Sequence, residues 1–579
     1  MSYKRLRQKF IVGCALTLAT GLLLTGCTNP FASSATGEKN AEVNLSNVDG
    51  STIDITDQFT DRDLDPSYDE SEAINITLSD GASASDSESV QIDGDTITIS
   101  QEGVYVVSGN LSNGQIVVDN EDKDAKIQIV LDNVSIINSS SACIYVKAAD
   151  KVFITTKEGS TNTLTVTGAY EAIDENNIDA VIFSKDDLVI NGSGTLNIEA
   201  NYGHGIVSKD DLKVTGGTLN VNAADHGLSG KDSVRITSAT INITANEDGI
   251  HSSNEDDENT TAGYIYVADG TITVSAGDDG MHADLETRID GGTVTVSDSY
   301  EGLEGQLVVV CGGDITVNAS DDGINAGGGA DASGTTSGFG GGRDMFSASN
   351  TDCKIYIYGG NINVNSKGDG IDSNGDLYIY GGEIYVDGPE NDGNGALDKG
   401  EQSQAYIYGG TIIATGMSGM AETFSEDSSQ VSILLNLEET VSGEVSIKDA
   451  NGNVIASYTP SKSYNSIVVS SSELIEGETY TISAGGTDTE ITVDGITVTE
   501  GEAGMTGGGR GGMMRNNEAQ SGDAQSGEAP SGEAPQMRDG ERPELPEGAT
   551  EGELPEMPSG EKPSGNPPSD NPPQNKSNN

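Results

Sequence analysis

Tryptophan is absent from this chain of 579 residues, histidine occurs four times and cysteine five times. The cysteines and histidines never fall at the close spacings that hold structural zinc, so a zinc module is excluded. Cys311 lies two residues before a glycine corner and Cys353 seven before another, so they occupy different positions in their repeats. With Cys143 they read as small buried hydrophobes rather than as a disulfide framework. Positive charge is scarce as well. Twenty-nine Lys and Arg stand against 93 Asp and Glu, a net charge of −64 and a pI of about 4.1. That balance excludes a nucleic-acid backbone or an anionic bilayer surface as partner, and it fits an extracytoplasmic protein that binds cations. Helical periodicity is missing throughout the central part of the chain.

Long apolar runs are also lacking, with one exception at the start. Phe10 to Leu24 is apolar, follows Lys4, Arg5, Arg7 and Lys9, and is shorter than the roughly 20 residues a spanning helix needs. Leu24-Thr25-Gly26-Cys27 resembles a bacterial lipobox. It implies a signal peptide over 1–26, lipidation of Cys27, and a mature protein anchored at the outer face of the cell membrane. Residues 27–70 are polar and read as a tether. At the other end, residues 500–579 are Gly, Pro, Glu, Ser and Met with almost no aliphatic side chains, a composition that cannot bury a core.

What the chain does have is a period. An Asp-Gly-aliphatic step returns as Asp248-Gly249-Ile250, Asp279-Gly280-Met281, Glu301-Gly302-Leu303, Asp322-Gly323-Ile324 and Asp369-Gly370-Ile371, with Asp225-His226-Gly227-Leu228 before them. Glycines 205, 227 and 249 are 22 apart, and 280, 302 and 323 follow at 22 and 21. In phase runs a glycine corner before an alternating strand, as in Gly270-Thr271-Ile272-Thr273-Val274 and Gly292-Thr293-Val294-Thr295-Val296. Short alternating strands, glycine corners and about 22 residues per turn specify an all-β, right-handed parallel β-helix. Its expected extent is 71–428, interrupted by a Gly-rich excursion at 327–350. Residues 429–499 read instead as antiparallel strands with an Asn451-Gly452 hairpin turn, a module that caps the open end of the solenoid.

Successive turns of such a helix lie about 4.8 Å apart, so the acidic residues of the step form a ladder. Asp279, Glu301, Asp322 and Asp369 stack, Asp278 and Asp321 lie beside them, and His251, His282, Glu304, Asn325 and Asp372 follow three positions on. Unit charges at about 5 Å repel by roughly 3 kcal/mol at an effective dielectric of 20. Such a column requires protonation, escape into water, or a shared cation. Calcium suits an all-oxygen set, with Asp284, Asn394 and Asp398 completing the shells. The competing reading is that Asp-Gly is simply good corner chemistry.

Four residues before each corner glycine lies a second column, which includes Arg235, Tyr266, Arg288, Tyr356, Tyr378 and Tyr406. The next residue is always aliphatic, so this column points outward. With Tyr358, Tyr380 and Tyr408 it forms a flat tyrosine face toward the C-terminal turns. Exposed rings suit stacking on sugars, and the two arginines suit uronate carboxylates. Tyrosine ladders also stabilise sheets without any ligand, and the missing tryptophan counts against strong sugar binding.

Ser299-Tyr300-Glu301-Gly302-Leu303-Glu304-Gly305, Asp321-Asp322-Gly323-Ile324-Asn325-Ala326 and Gly277-Asp278-Asp279-Gly280-Met281-His282-Ala283-Asp284 together resemble the calcium-binding β-helix carbohydrate-binding family of clostridia and relatives. Asn394-Gly395-Ala396-Leu397-Asp398 and Gly419-Met420-Ala421-Glu422 add to the resemblance, which covers roughly 75–495. It implies a pectate-lyase-like fold, calcium near the Asp-Gly corners, and non-catalytic binding of cellulose or pectin-type polysaccharide. Two other functions stay open. One is a calcium-dependent polysaccharide lyase with Arg235 or Arg288 as base. The other is a structural spacer or adhesin.

Overall fold

Alternation decides the architecture. In the strands Thr240–Ala245, Thr271–Ser275 and Thr293–Asp298, every second residue is Ile, Val or Ala and the residues between are Thr, Asn or Ser, with the terminal Asp298 as the exception. β-Branched side chains fit a pleated surface, and a period of two buries one face. The computed structural model describes residues 50–254, 261–327 and 352–503, all within the first of two units, Met1–Gly508. Each turn contributes three short strands, such as Ile250–Ser252, Tyr264–Val267 and Thr271–Ser275. Each pairs in parallel with its counterpart one turn on, so the fold is the expected all-β parallel helix with three sheets.

The register is kept residue for residue. Leu219, Ile241, Ile272, Val294, Ile315, Ile362, Ile384 and Ile412 stack as one interior column, and all are buried. A slip of one residue would expose that column and bury the polar one, which is why the register is so strongly specified.

The two glycine signals have different causes. Corner glycines such as Gly292 and Gly382 adopt positive φ, 86° and 101°, where a side chain is strained. Gly227 of the Asp-Gly step does not. A Cβ there would lie 2.5 Å from Ile243 and 2.6 Å from the Gly249 carbonyl, so close approach of turns is what excludes a side chain.

At the C-terminal end the last turn, Thr411–Gly416, pairs antiparallel with Tyr464–Ser471, which pairs with Ser432–Val441. A four-stranded antiparallel sheet lies beyond, ordered Val454–Tyr458, Val445–Lys448, Thr479–Ala484, Thr487–Thr492. The open edge of the solenoid is thereby covered. The Lys462 ammonium fastens this module by donating to the carbonyls of Ser366, Asp387 and Gly388.

The N-terminal segment differs from the expected tether. Residues 50–69 lie along the outer face of the second sheet, running opposite to the direction in which the turns advance. Ser51 and Thr52 donate to Glu286, Gln58 accepts from Tyr264 and Arg235, and buried Asp63 pairs with Lys213 and Lys151. Pro66 accepts from Gln128, just before the solenoid begins at Ile74–Leu78. The polar residues of this strap meet polar groups of the outward column instead of water, which is why composition alone made them look like a linker. The expected signal peptide over 1–26, Cys27, the rest of the Gly-rich stretch from 328 and the residues from 504 lie outside the described residues.

Candidate functional site

The first sheet carries two polar columns on its outer side. One precedes the glycine of each step and holds His204, His226, Asp248, Asp279, Glu301, Asp322 and Asp369. The other lies three positions on and runs His251, His282, Glu304, Asn325, Asp372, Asp398, in register from turn to turn. The sequence expectation of two parallel ladders is thus met in placement. One detail is corrected: in the turn of Gly227 the column residue is His226, not Asp225. His204 and His226 were therefore missed as members of the ladder, although their place immediately before Gly205 and Gly227 was the available signal.

The first column has a backbone duty. His204 Nδ1 accepts the His226 N–H at 3.1 Å, and His226 Nδ1 accepts the Asp248 N–H at 3.1 Å. Asp248 accepts from Asp279 N–H at 3.0 Å, Asp279 from Glu301 N–H at 3.2 Å, and Asp322 from Asp369 N–H at 2.5 Å. Asp369 does the same for Gly395. These six side chains each satisfy the amide of the next turn at a tight corner, where an unpaired buried N–H would be costly, whereas Glu301 accepts from the Asn325 side-chain amide instead.

Beyond that shared duty the two ends diverge. All four histidines of the protein stack in one pile, with ring centroids 4.9, 4.2 and 5.3 Å apart. Burial, and then the neighbouring His251, pushes His226 down to about 3, and burial lowers His204 too, so these rings are neutral. Because Nδ1 is an acceptor in both, the proton sits on Nε2. Neither ring then offers a free lone pair to a metal, despite the carboxylate of Glu247 beside them.

His282 is the junction. Burial opposes its charge, but hydrogen bonds to Asp279, Asp284 and Glu304 raise its pKa and hold it protonated. It balances the carboxylates on either side, Asp279 at 3.2 Å and Glu304 closer still. Among the described residues, no cationic side chain stands in the columns past it until Lys399. Burial pushes the carboxyls of Asp279, Glu301 and Asp322 well up, and Asp369 up to about 7. Asp322, Asp369 and Asp372 bring carboxylate oxygens within 4.8 Å of one another. Asn325 donates to Glu301 at 2.7 Å, while its own buried Oδ1 has no hydrogen-bond partner. An oxygen-only set with an orphaned amide oxygen fits a hard cation such as calcium.

The other expected ligands scatter more widely. Asn394 donates to Asp369 at 3.4 Å and Asp398 ends the second column. Asp284 is turned to Ser253, Asn254 and His282, and Asp321 takes the Tyr300 hydroxyl. Asp278 is buried beside Asp279.

The second sheet carries the basic and aromatic column, which points outward as expected but is not free. The strap covers its first half. Arg288 is 1% exposed and bonded to Asp290 and Ser51, and Tyr266 is buried against Ile53 and Phe59. Arg235 is held by Asp211 in two bonds of 2.8 Å. Gly50 sits on the ring of Tyr356, which is also buried. Beyond the strap, Tyr356, Tyr378 and Tyr406 stack with centroids 4.9 and 5.2 Å apart, and Tyr358, Tyr380 and Tyr408 with 4.8 and 5.1 Å. The rings lie nearly parallel to one another, so most ring faces are covered by the next tyrosine and the edges and hydroxyls are what solvent meets. The flat row of open faces expected for sugar stacking is therefore not what the residues form. The middle rings, Tyr378 and Tyr380, have a tyrosine above and below, which leaves no room for a sugar between the rungs.

Residues 93–344 match the sequence family described as carbohydrate-binding domain-containing protein. A protein of the same description from Acetivibrio thermocellus is 35% identical over 211 residues, which is 36% of this chain and 64% of that relative. This chain thus spans a little under two thirds of the relative's length. A solved structure described as the polysaccharide lyase-like protein from C. thermocellum, in a gadolinium derivative, shares 34% identity, covers 42% of this chain and 93% of its own, and superposes with a TM-score of 0.37. The matched stretch carries the polar columns as far as Asn325 and ends before Asp369, Asp372, Asp398 and the stacked tyrosines.

Proposed function

We propose that this chain is a surface-anchored lipoprotein that binds polysaccharide, cellulose or pectin-type, on a β-helix stabilised by calcium. The similarity over residues 93–344 supports the carbohydrate part. The observation that carries the calcium part is the run of buried carboxylates past His282, with the unpartnered Asn325 Oδ1 among them. Asp322, Asp369, Asp372 and Asn325 would hold the ion, with Glu301 adjacent, and it would offset part of the negative charge of these carboxylates. Asp279 and Glu304 already share His282. Cys27 would carry the lipid and keep the solenoid at the extracytoplasmic membrane face.

The lyase alternative is disfavoured by the state of its two candidate bases. Arg288 is buried in hydrogen bonds and Arg235 is paired with Asp211, so neither is presented to a substrate. The test is calorimetric titration of calcium into the chain lacking its leader, then retention on cellulose and on pectate with and without EDTA. Calcium uptake with retention and no unsaturated product is the expected result. Unsaturated product from pectate would make the protein a lyase, and neither uptake nor retention would leave a spacer. Cys27→Ala should move the protein from the membrane fraction to the medium.

A further inference from the structure

Two of the three long faces are already occupied: the first sheet by its buried polar columns, the second by the strap and the self-stacked tyrosines. The third is open along its middle row, with exposed acids such as Asp298 and Asp314 only in the rows beside it. Its middle outward row, kept in register over six turns, reads Asn220, Asn242, Thr273, Thr295, Thr316, Asn363. No residue in that row is charged, in a chain with 93 acidic residues. Asn242 donates to Asn220 and Asn220 to Asn197, each at 2.9 Å, so the amides are locked in a ladder. Each asparagine amide has two N–H groups, and the ladder uses one. Alongside lies a shallow groove of about 320 Å³ whose lining adds Asn222, Thr244 and Ser275. Its one carboxylate, Glu199, accepts from Asn222 at 3.1 Å.

We propose that this third sheet, centred on the groove between Asn220 and Ser275, is the docking face for a neutral polysaccharide. The inference rests on the polysaccharide-binding reading above and adds the site and the class of glycan. Amides and hydroxyls donate and accept alike, as sugar hydroxyls do, so the face complements an uncharged glycan along its length. A polyuronate meets a different prospect. The field of a chain with net charge −64 repels it, and this row holds no cation to receive its carboxylates. The ladder also fixes the amide orientations before any ligand arrives, which lowers the ordering cost of binding. Six turns at about 4.8 Å give a row on the order of 25 Å, enough to contact several sugar units at once.

The test uses the chain without its leader and insoluble cellulose as the neutral glycan. Asn222→Lys combined with Thr244→Glu places two bulky charged groups of alternating sign at exposed outward positions beside Glu199, so that no like charges stack. The expected result is a tenfold or greater fall in retention with an unchanged melting temperature. Tyr380→Ala combined with Tyr408→Ala should change retention less than twofold. The reverse pattern would overturn the assignment. Retention by polygalacturonate but not by cellulose would overturn it while leaving the polysaccharide-binding reading intact. Retention by neither would sink both.

Discussion

The histidine end and the carboxylate end of the first column do the same work for the backbone and opposite work for charge. At His226 and at Asp322 one side-chain atom accepts the N–H of the next turn. At His226 the remaining ring nitrogen carries a proton and the side chain is neutral. At Asp322 the remaining atom is a second carboxylate oxygen, buried with Asp369 and Glu301 as its nearest charged neighbours. A polar residue at the corner thus serves the backbone at six of the seven corners, while buried negative charge accumulates only where the acceptor is an acid. The regular Asp-Gly step by itself would not single out a place for the proposed calcium; the position of His282, which ends the balanced stretch, is what does so.

The largest effect is expected where both duties fall on one residue. Asp322→Ala removes the partner of the Asp369 amide and one cation ligand. Leaving that N–H unpaired costs about 1–3 kcal/mol even without calcium. Asp322→Asn should separate the duties, since the amide oxygen still accepts the N–H while the charge is gone. Without calcium the Asn variant should melt at or above the unmodified protein. With calcium it should lose most of the stabilisation that a bound ion gives, about 2.7 kcal/mol at a hundredfold excess over Kd. Equal calcium shifts for the Asn variant and the unmodified protein would break the distinction between the two ends.

Acidity should pull the ends apart next. His226 is lowered from 6.5 to about 3, so its contribution to stability is present above pH 6.5 and is lost as pH falls toward 3. Asp369 is raised from 3.8 to about 7, so without calcium its contribution is complete below 3.8 and is lost as pH rises through about 7. Calcium binding, which needs the ionised carboxylate, should strengthen over the same upper range. The metal-free melting temperature should therefore decline on both sides of a mildly acidic maximum. Asp369→Asn should flatten the alkaline limb and leave the acidic one. If it flattens neither, the cause assigned to that limb is wrong.

Most of the solenoid was legible because its signals are local and repeated. Ile241, Ile272 and Val294 fall at one phase of a strand, and nothing distant alters which way they face. Both ladders followed from counting along the period. What sequence could not supply was what lies over each face. Ser51 and Asp63 look like linker residues until Glu286, Lys151 and Lys213 are seen beneath them, at separations of 88 to 235 residues. The tyrosines were placed on the right side, but the direction of their ring planes depends on contacts between turns. His226 escaped because an acid stands beside it at Asp225, and residue type was read where hydrogen-bonding role was the conserved quantity along the column.

That last point yields the smallest and most specific prediction. If the histidine end serves only the backbone, His226→Asn should be tolerated, because Asn also presents an acceptor to the Asp248 amide. The loss of ring stacking on His204 and His251 should cost on the order of 1 kcal/mol, and the calcium isotherm should be unchanged. His226→Ala removes the acceptor as well and should cost about 1–3 kcal/mol more. Thermal melts of the two variants, with and without calcium, give the comparison directly. A calcium response altered in His226→Asn would mean that the ends are coupled through the stacked rings and His282, and that the ladder acts as one electrostatic unit rather than two.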